Sequence, residues 1–254
     1  MKKPALDWRP FCDLMPPMKG WFIAGTDTGV GKTVLTTALL VALRRGGHAA
    51  VPAKPVHTGC PRRGHGLEAP DLDFALAAAG MKVSEDEAAL MCPYRFEPAC
   101  SPHWAAQQSG VVISIEKICD AMRSLTQRHN ELLVEGAGGV RVPLNDRDTL
   151  LDLMRALDLP VIVAARPGLG TLNHTLLTLD ALRHAGLRTD AIVLVESQNG
   201  SWGALEENNR NTLTSRTNLP VVRLSFDAGI AAGRPGTSAQ EAAALLQPIN
   251  DRSG

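Results

Sequence analysis

Two glycine-rich stretches carry most of the chemistry written into this chain. The first, Gly25-Thr-Asp-Thr-Gly-Val-Gly-Lys-Thr33, follows the apolar run Trp21-Phe-Ile-Ala24 and opens into a helical pattern beginning near Lys32. A strand that turns through glycines into a helix directs backbone N–H groups and the positive end of the helix dipole at one point, a receptor for phosphate oxygens. Lys32 can then reach a transferred phosphoryl group and the Thr33 hydroxyl can bind Mg²⁺, with Thr28, Gly29, Val30, Gly31 and Val34 around the nucleotide. The general pattern has glycine five residues before Gly31; here Thr26 stands there, and Gly25 comes one place earlier. The second stretch, Glu131-Leu-Leu-Val-Glu-Gly-Ala-Gly-Gly139, is an apolar strand ending in a carboxylate. Glu135 can hold Mg²⁺ directly or through water, and Gly136, Ala137 and Gly138 keep the next loop close to the nucleotide.

These residues need a frame, and hydrophobic periodicity supplies one. Apolar runs predict strands at 21–24, 49–53, 131–134, 161–165, 191–195 and 221–224, and apolar residues spaced by three and four predict helices at 34–45, 115–128, 150–157, 172–184 and 205–216. Such alternation predicts an α/β fold: a doubly wound, mainly parallel sheet flanked by helices. Gly46-Gly47 and Gly186 fall where helix C-terminal glycines belong. The alanine-rich C-terminus predicts a short closing helix. Residues 1–17, with adjacent prolines at 16 and 17 and no periodicity, are expected to form a flexible extension, leaving a single domain over 18–254.

A chain of 254 residues with 44% hydrophobic content can bury a sizeable core. Its 26 basic and 26 acidic residues balance, which gives no electrostatic case for a nucleic-acid partner. Aromatics are 4% with one tyrosine, too few for base-stacking platforms. No apolar run approaches the ~20 residues that span a bilayer, and none follows Lys2-Lys3, so the expectation is a cytoplasmic protein without a membrane partner. Cys12, Cys60, Cys92, Cys100 and Cys119 are odd in number and widely spaced, as reduced thiols are.

Residue by residue, the chain resembles the dethiobiotin synthetases. GTDTGVGKT at 25–33 is similar to that family's GTDTxVGKT, including the threonine at position 26. Lys54-Pro-Val-His-Thr-Gly59 resembles its KPVxSG or KPVxTG, and Glu97-Pro-Ala-Cys-Ser-Pro-His103 its EPxSPH-type segment, one residue longer here. Val134-Glu-Gly-Ala-Gly-Gly139 with Val142-Pro-Leu144 is similar to VEGAGG and the loop after it, and Leu169-Gly-Thr-Leu-Asn-His174 to LGxxNH. The likeness covers residues 18–220 or so, with the motifs in the family's order.

The resemblance implies the P-loop NTPase fold and a ligase of biotin biosynthesis. Its reaction joins 7,8-diaminopelargonic acid to CO₂ or bicarbonate with ATP or another nucleoside triphosphate, giving dethiobiotin, the diphosphate and phosphate. An N-carbamate and a carbamic–phosphoric anhydride lie on the path. By the same resemblance Lys54 and Lys32 are catalytic, Mg²⁺ is held by Thr33, Asp71 and Glu135, and Lys54, Thr58, Gly170, Asn173 and His174 bind substrate. A homodimer is implied as well, with the 169–174 region contributing across its interface. Asp71 and Asp73 compete for the metal position; Asp71, directly after Pro70, is preferred because it can cap a helix running through Leu76. His174 has a capping or packing role as an equal alternative, His103 is assigned no chemistry, and His57, between Val56 and Thr58, is expected to border the pocket as a bystander rather than a catalyst.

The chain departs from the family where a later strand usually ends in Asn-Asp, whose amide reads adenine; here the residues are Leu194-Val-Glu-Ser197. With Val195-Glu196 in that place, base selection among ATP, CTP and GTP is expected to relax or to shift toward a pyrimidine. Gly29 replaces an acidic residue common in the loop, and residues 225–254 show only weak similarity. A nucleotide switch or another ligase of the same superfamily is the competing expectation. Switches commonly carry a second lysine near the start of the loop, and residues 25–28 contain none.

Overall fold

The computed structural model describes residues 18–64, 66–231 and 236–250; the extension expected at 1–17, with Cys12, lies outside them. The chain runs through β1 (Gly20–Gly25), α1 (Lys32–Arg45), β2 (Ala50–Ala53), β3 (Val56–Thr58), β4 (Arg62–Arg63), β5 (Gly66–Leu67) and α2 (Pro70–Ala78). There follow α3 (Glu85–Met91), β6 (Tyr94–Phe96), α4 (Pro102–Gln108), α5 (Ile115–Thr126), β7 (Glu131–Glu135), α6 (Leu150–Leu157) and β8 (Val161–Ala165). It ends with α7 (Thr171–His184), β9 (Thr189–Val195), α8 (Ala204–Thr217), β10 (Val221–Leu224), α9 (Ala228–Ala231) and α10 (Thr237–Asn250).

The six apolar runs become one six-stranded parallel sheet in the order β10-β9-β8-β1-β7-β2. Helices cover both faces, so the central strands are buried throughout and read as continuous apolar runs rather than alternating ones. Phe22, Val51, Val134 and Val163 point into one core with Ile118, Met122, Leu125 and Met154. Their chain neighbours Ile23, Leu133 and Ile162 point the other way, onto Leu35, Leu39 and Leu43 of α1. The sheet order sets the function: β7 lies between β1 and β2, so the carboxyl ends of these three strands share one crevice.

The expected helices match to within two residues at each end, and Gly46, Gly47 and Gly186 do terminate helices, the last two at φ 85° and 74°. The closing helix has 14 residues and is not short. Sequence periodicity gave no sign of β3, β6, α3 or α4. β3 and β6 are three residues each and exist only by pairing with one another, Val56 with Tyr94 through Thr58 with Phe96. Such a pair has no local signal. Among the described residues Cys60, Cys92, Cys100 and Cys119 are in no disulfide, and no helix is long and apolar enough to cross a membrane.

Candidate active site

The loop after β1 takes its shape from its glycines. Gly31 has φ 92°, and a Cβ there would stand 2.5 Å from Val195 Cγ1, so both backbone conformation and space demand glycine. A Cβ on Gly25 would meet Lys32 Nζ at 2.7 Å. Thr26, by contrast, keeps a negative φ and donates its N–H to Ala164 O at 3.1 Å, so the position needs no glycine. Gly31 caps α1 without any side-chain partner for the helix N-terminus, and no acid occupies its first turn. The free amides there are a receptor for anions. Substituting alanine for Gly31 is expected to lower the melting temperature by roughly 3–8 °C, from a left-handed penalty of about 1–2 kcal/mol with the steric clash. It should also weaken ATP at least ~10-fold, both measurable by calorimetry.

Lys32, 7% exposed, donates from Nζ to Asp27 O at 2.7 Å. Burial drives its pKa down to about 8 against the pull of Glu135. Glu135, at the end of β7 and 4% exposed, accepts on Oε1 from Thr33 Oγ1 at 2.9 Å and from Lys54 Nζ at 2.8 Å. Lys54, just past β2, also bonds Asp71 Oδ2. Burial opposes the Lys54 charge, but Glu135 and then Asp71 outweigh it and hold the pKa above the usual lysine value. Burial likewise opposes the Asp71 charge, and the ammonium of Lys54 overrides it, keeping that carboxyl below its ordinary range.

Asp71 reaches the site from the first turn of α2, behind Pro70. Asp73 is exposed and does not line the cleft. The Lys54 segment is held by elements the periodicity did not reveal. Its N–H bonds Met91 O of α3 at 2.9 Å, β3 pairs with β6, and Cys60 N bonds Phe96 O at 2.9 Å.

These groups surround a cavity of about 760 Å³. Thr28, Gly29, Gly31, Lys32, Thr33, Val34, Lys54, Thr58, Asp71, Glu135, Gly136, Ala137 and Gly138 all line it. Val30 does not; its side chain packs into the core. Gly170, Asn173 and His174 also lie apart from it, because α7 leaves the end of β8, on the side of β1 away from β7 and β2. Gly170 caps α7 at φ 91°, and Asn173 and His174 are exposed, so His174 neither caps nor packs.

The cavity also has residues to which sequence reasoning assigned no chemistry. Cys100, Ser101 and Pro102 enter it at the start of α4, from the 97–103 segment. His57 forms part of the wall, 6% exposed, with Nε2 3.6 Å from Asp71 Oδ2. Burial, and then the Lys54 charge, push its pKa down to about 4, which makes it a neutral imidazole. Its Nδ1 is buried without a hydrogen-bond partner, at a typical cost of about 1–3 kcal/mol. Its place between Val56 and Thr58 had put it at the border of the pocket, where the structure has it.

Beside the loop, Val195 packs on Gly31 and Glu196 is buried. Glu196 Oε1 lies 2.7 Å from Arg223 Nε, Oε2 accepts from Phe226 N at 3.3 Å, and the Arg223 guanidinium sits over the Trp202 ring at 4.7 Å. The carboxylate is engaged within the protein and is not presented as a reader of bases.

A parallel sheet, a glycine loop opening a helix, and an adjacent strand whose terminal carboxylate reaches the loop threonine define a P-loop nucleotide-binding protein. The sequence matches the model of a family described as an AAA domain over residues 19–224. It is 47% identical over 178 residues to the ATP-dependent dethiobiotin synthetase BioD of Anaeromyxobacter sp. strain Fw109-5, covering 70% of this chain and 76% of that one. To the protein of the same name from Pseudomonas paraeruginosa it is 40% identical over 220 residues, 85% of this chain and 94% of the relative. The chain belongs to the dethiobiotin synthetase family. In fold it is similar to the septum site-determining protein MinD complexed with Mg-ADP from Pyrococcus horikoshii, with a TM-score of 0.60 at 16% identity over 93% of this chain and 98% of that one. MinD of Aquifex aeolicus gives 0.57 at 13% identity, covering 92% and 97%.

Proposed function

We infer that this cleft closes the ureido ring of dethiobiotin from 7,8-diaminopelargonic acid, CO₂ and ATP, releasing ADP and phosphate. The observation that carries the assignment is the pair of buried lysines, Lys32 and Lys54, on one cavity with Glu135 reaching both Lys54 and Thr33. One amine of the diamine attacks CO₂, a carbamate oxygen takes the γ-phosphoryl group, and the second amine displaces phosphate. Negative charge grows on oxygen in each step. Lys54 stabilises it at the carbamate and Lys32 at the phosphoryl group, through charges fixed before reaction in a shielded crevice. The α1 amides hold the triphosphate, and Thr58 orients the diamine by its hydroxyl.

Thr33, Asp71 and Glu135 bring three oxygen donors to the mouth of the loop, the donor chemistry a hard cation takes. They would hold Mg²⁺, which when bound neutralises the charge of the β- and γ-phosphate oxygens. The apolar residues exposed on α7 and on the loop before it, Leu177 at 60% and Leu169 at 94%, beside Asn173 and His174, support a second copy of the chain as the partner that uses those residues. With Glu196 engaged by Arg223, base selection is weak: CTP and GTP are expected to support turnover within about 10-fold of ATP, roughly one lost hydrogen bond, in steady-state assays. Strict ATP dependence would contradict it.

The test of the function is to supply diaminopelargonate, bicarbonate, Mg²⁺ and ATP and to measure phosphate and dethiobiotin together. A switch would release phosphate without forming the ring. Proton linkage gives a second check. In the free protein Lys32 loses its proton near pH 8, and a bound triphosphate restores the charge. The bound state therefore holds more protons above that pH, so ATP affinity falls as pH rises past 8. Calorimetry at pH 9 in buffers of different ionisation enthalpy should show proton uptake that Lys32→Arg, always charged, lacks.

A further inference from the structure

His57 is a buried titratable group on the cavity wall that this chemistry leaves unused. Its ring walls the cavity between Val56 and Thr58, and β3 is fixed against β6 by the pairing of His57 with Arg95, so the ring is carried on a strand rather than a free loop. Nδ1 faces inward and has no partner. Nε2 is 3.6 Å from Asp71 Oδ2, the same oxygen that Lys54 holds. A carboxylate beside Nε2 favours a ring proton on that nitrogen, from which it can be donated.

We propose that His57 is a positioning residue whose Nε2–H keeps the Asp71 carboxylate facing the cavity, an inference that rests on the dethiobiotin synthetase reading of the cleft. Closing the gap to an ordinary hydrogen bond takes roughly half an ångström. Lys54 already gives two of its three donors to Glu135 and Asp71, so drawing its ammonium toward a carbamate weakens its hold on Asp71. If the ammonium turns to the carbamate, Asp71 loses its main partner, and the Nε2–H of His57 is the donor placed to retain it. Partners of this kind behind metal-binding carboxylates commonly govern about 10–100-fold in metal affinity or activity.

The test uses three variants of the full chain, with melting temperature as the folding control. His57→Phe keeps a ring without a donor, His57→Asn carries an amide too short to reach Asp71, and His57→Gln puts an N–H near the Nε2 position. Mn²⁺ binding in the presence of ADP, followed by electron paramagnetic resonance, should weaken about 10-fold or more in His57→Phe and His57→Asn and return to within about three-fold of native in His57→Gln. Turnover should follow the same order while KM for ATP stays near native. Native-like Mn²⁺ binding in the Phe and Asn variants, or equal loss in all three at equal melting temperatures, would overturn the proposal. Mn²⁺ binding reads Asp71 directly and dethiobiotin formation by the native chain reads the parent assignment, so failure of one is told from failure of the other.

Discussion

A Lys54→Ala enzyme is expected to form dethiobiotin about 10²–10³-fold more slowly than the native chain, with KM for ATP changed little. Lys54 is buried beside the cavity and is not part of the phosphate loop, so its removal takes away charge stabilisation at the carbamate while leaving the α1 amides and Lys32 in place. A second loss accompanies the first. Glu135 and Asp71 share the Lys54 ammonium, and without it two carboxylates face one another in a crevice, which raises the pKa of one of them. Turnover of the alanine variant should therefore respond to pH in the acid range more than native turnover does. Lys54→Arg restores the charge but with a planar fork where a compact ammonium stood, and should recover only part of the rate. Lys32→Ala is expected to give the contrasting pattern, a raised KM for ATP together with lowered kcat, because in the proposed reading that lysine serves the triphosphate itself. Near-normal turnover in Lys54→Ala would reduce Lys54 to a structural counter-ion.

What could be read in the sequence was local. Val161-Ile-Val-Ala-Ala165 declares a buried parallel strand by composition alone, and the loop at 25–33 states its function by spacing. What could not be read depends on pairings across the fold. That β7 rather than β2 lies next to β1 is fixed by packing between distant segments, yet it is what brings Glu135 to Thr33. The preference for Asp71 over Asp73 rested on a capping argument. The structure places Asp71 on Lys54 and leaves Asp73 exposed, because two residues along a helix is just over a half-turn. His57 was expected at the border of the pocket and lines it; its contact with Asp71 was not legible, because it depends on the β3–β6 pair and on Asp71 arriving on α2. The separation of His174 from the cavity follows from α7 starting beyond β8, which no local pattern encodes.

Glu135 separates the chemical from the structural content of the site, because one oxygen serves both. Its Oε1 takes the Thr33 hydroxyl and the Lys54 ammonium. In Glu135→Gln the amide oxygen can still accept both bonds, so the fold should hold with a melting temperature within a few degrees of native, while the charge that would hold Mg²⁺ is gone. Turnover should fall about 10²–10³-fold, and the Mg²⁺ concentration for half-maximal rate should rise at least ~10-fold. Glu135→Ala removes the acceptor as well, leaving Lys54 buried with Asp71 as its one carboxylate partner among those two. Breaking one side of a buried pair costs about 3–5 kcal/mol, and the surviving Asp71 bond moves the expectation to the low end, a drop of roughly 6–12 °C in melting temperature. Equal stability of the two variants would mean that Asp71 alone secures Lys54. Equal turnover of Glu135→Gln and the native chain would mean that the end of β7 holds the two lysine-bearing segments together and takes no part in the reaction.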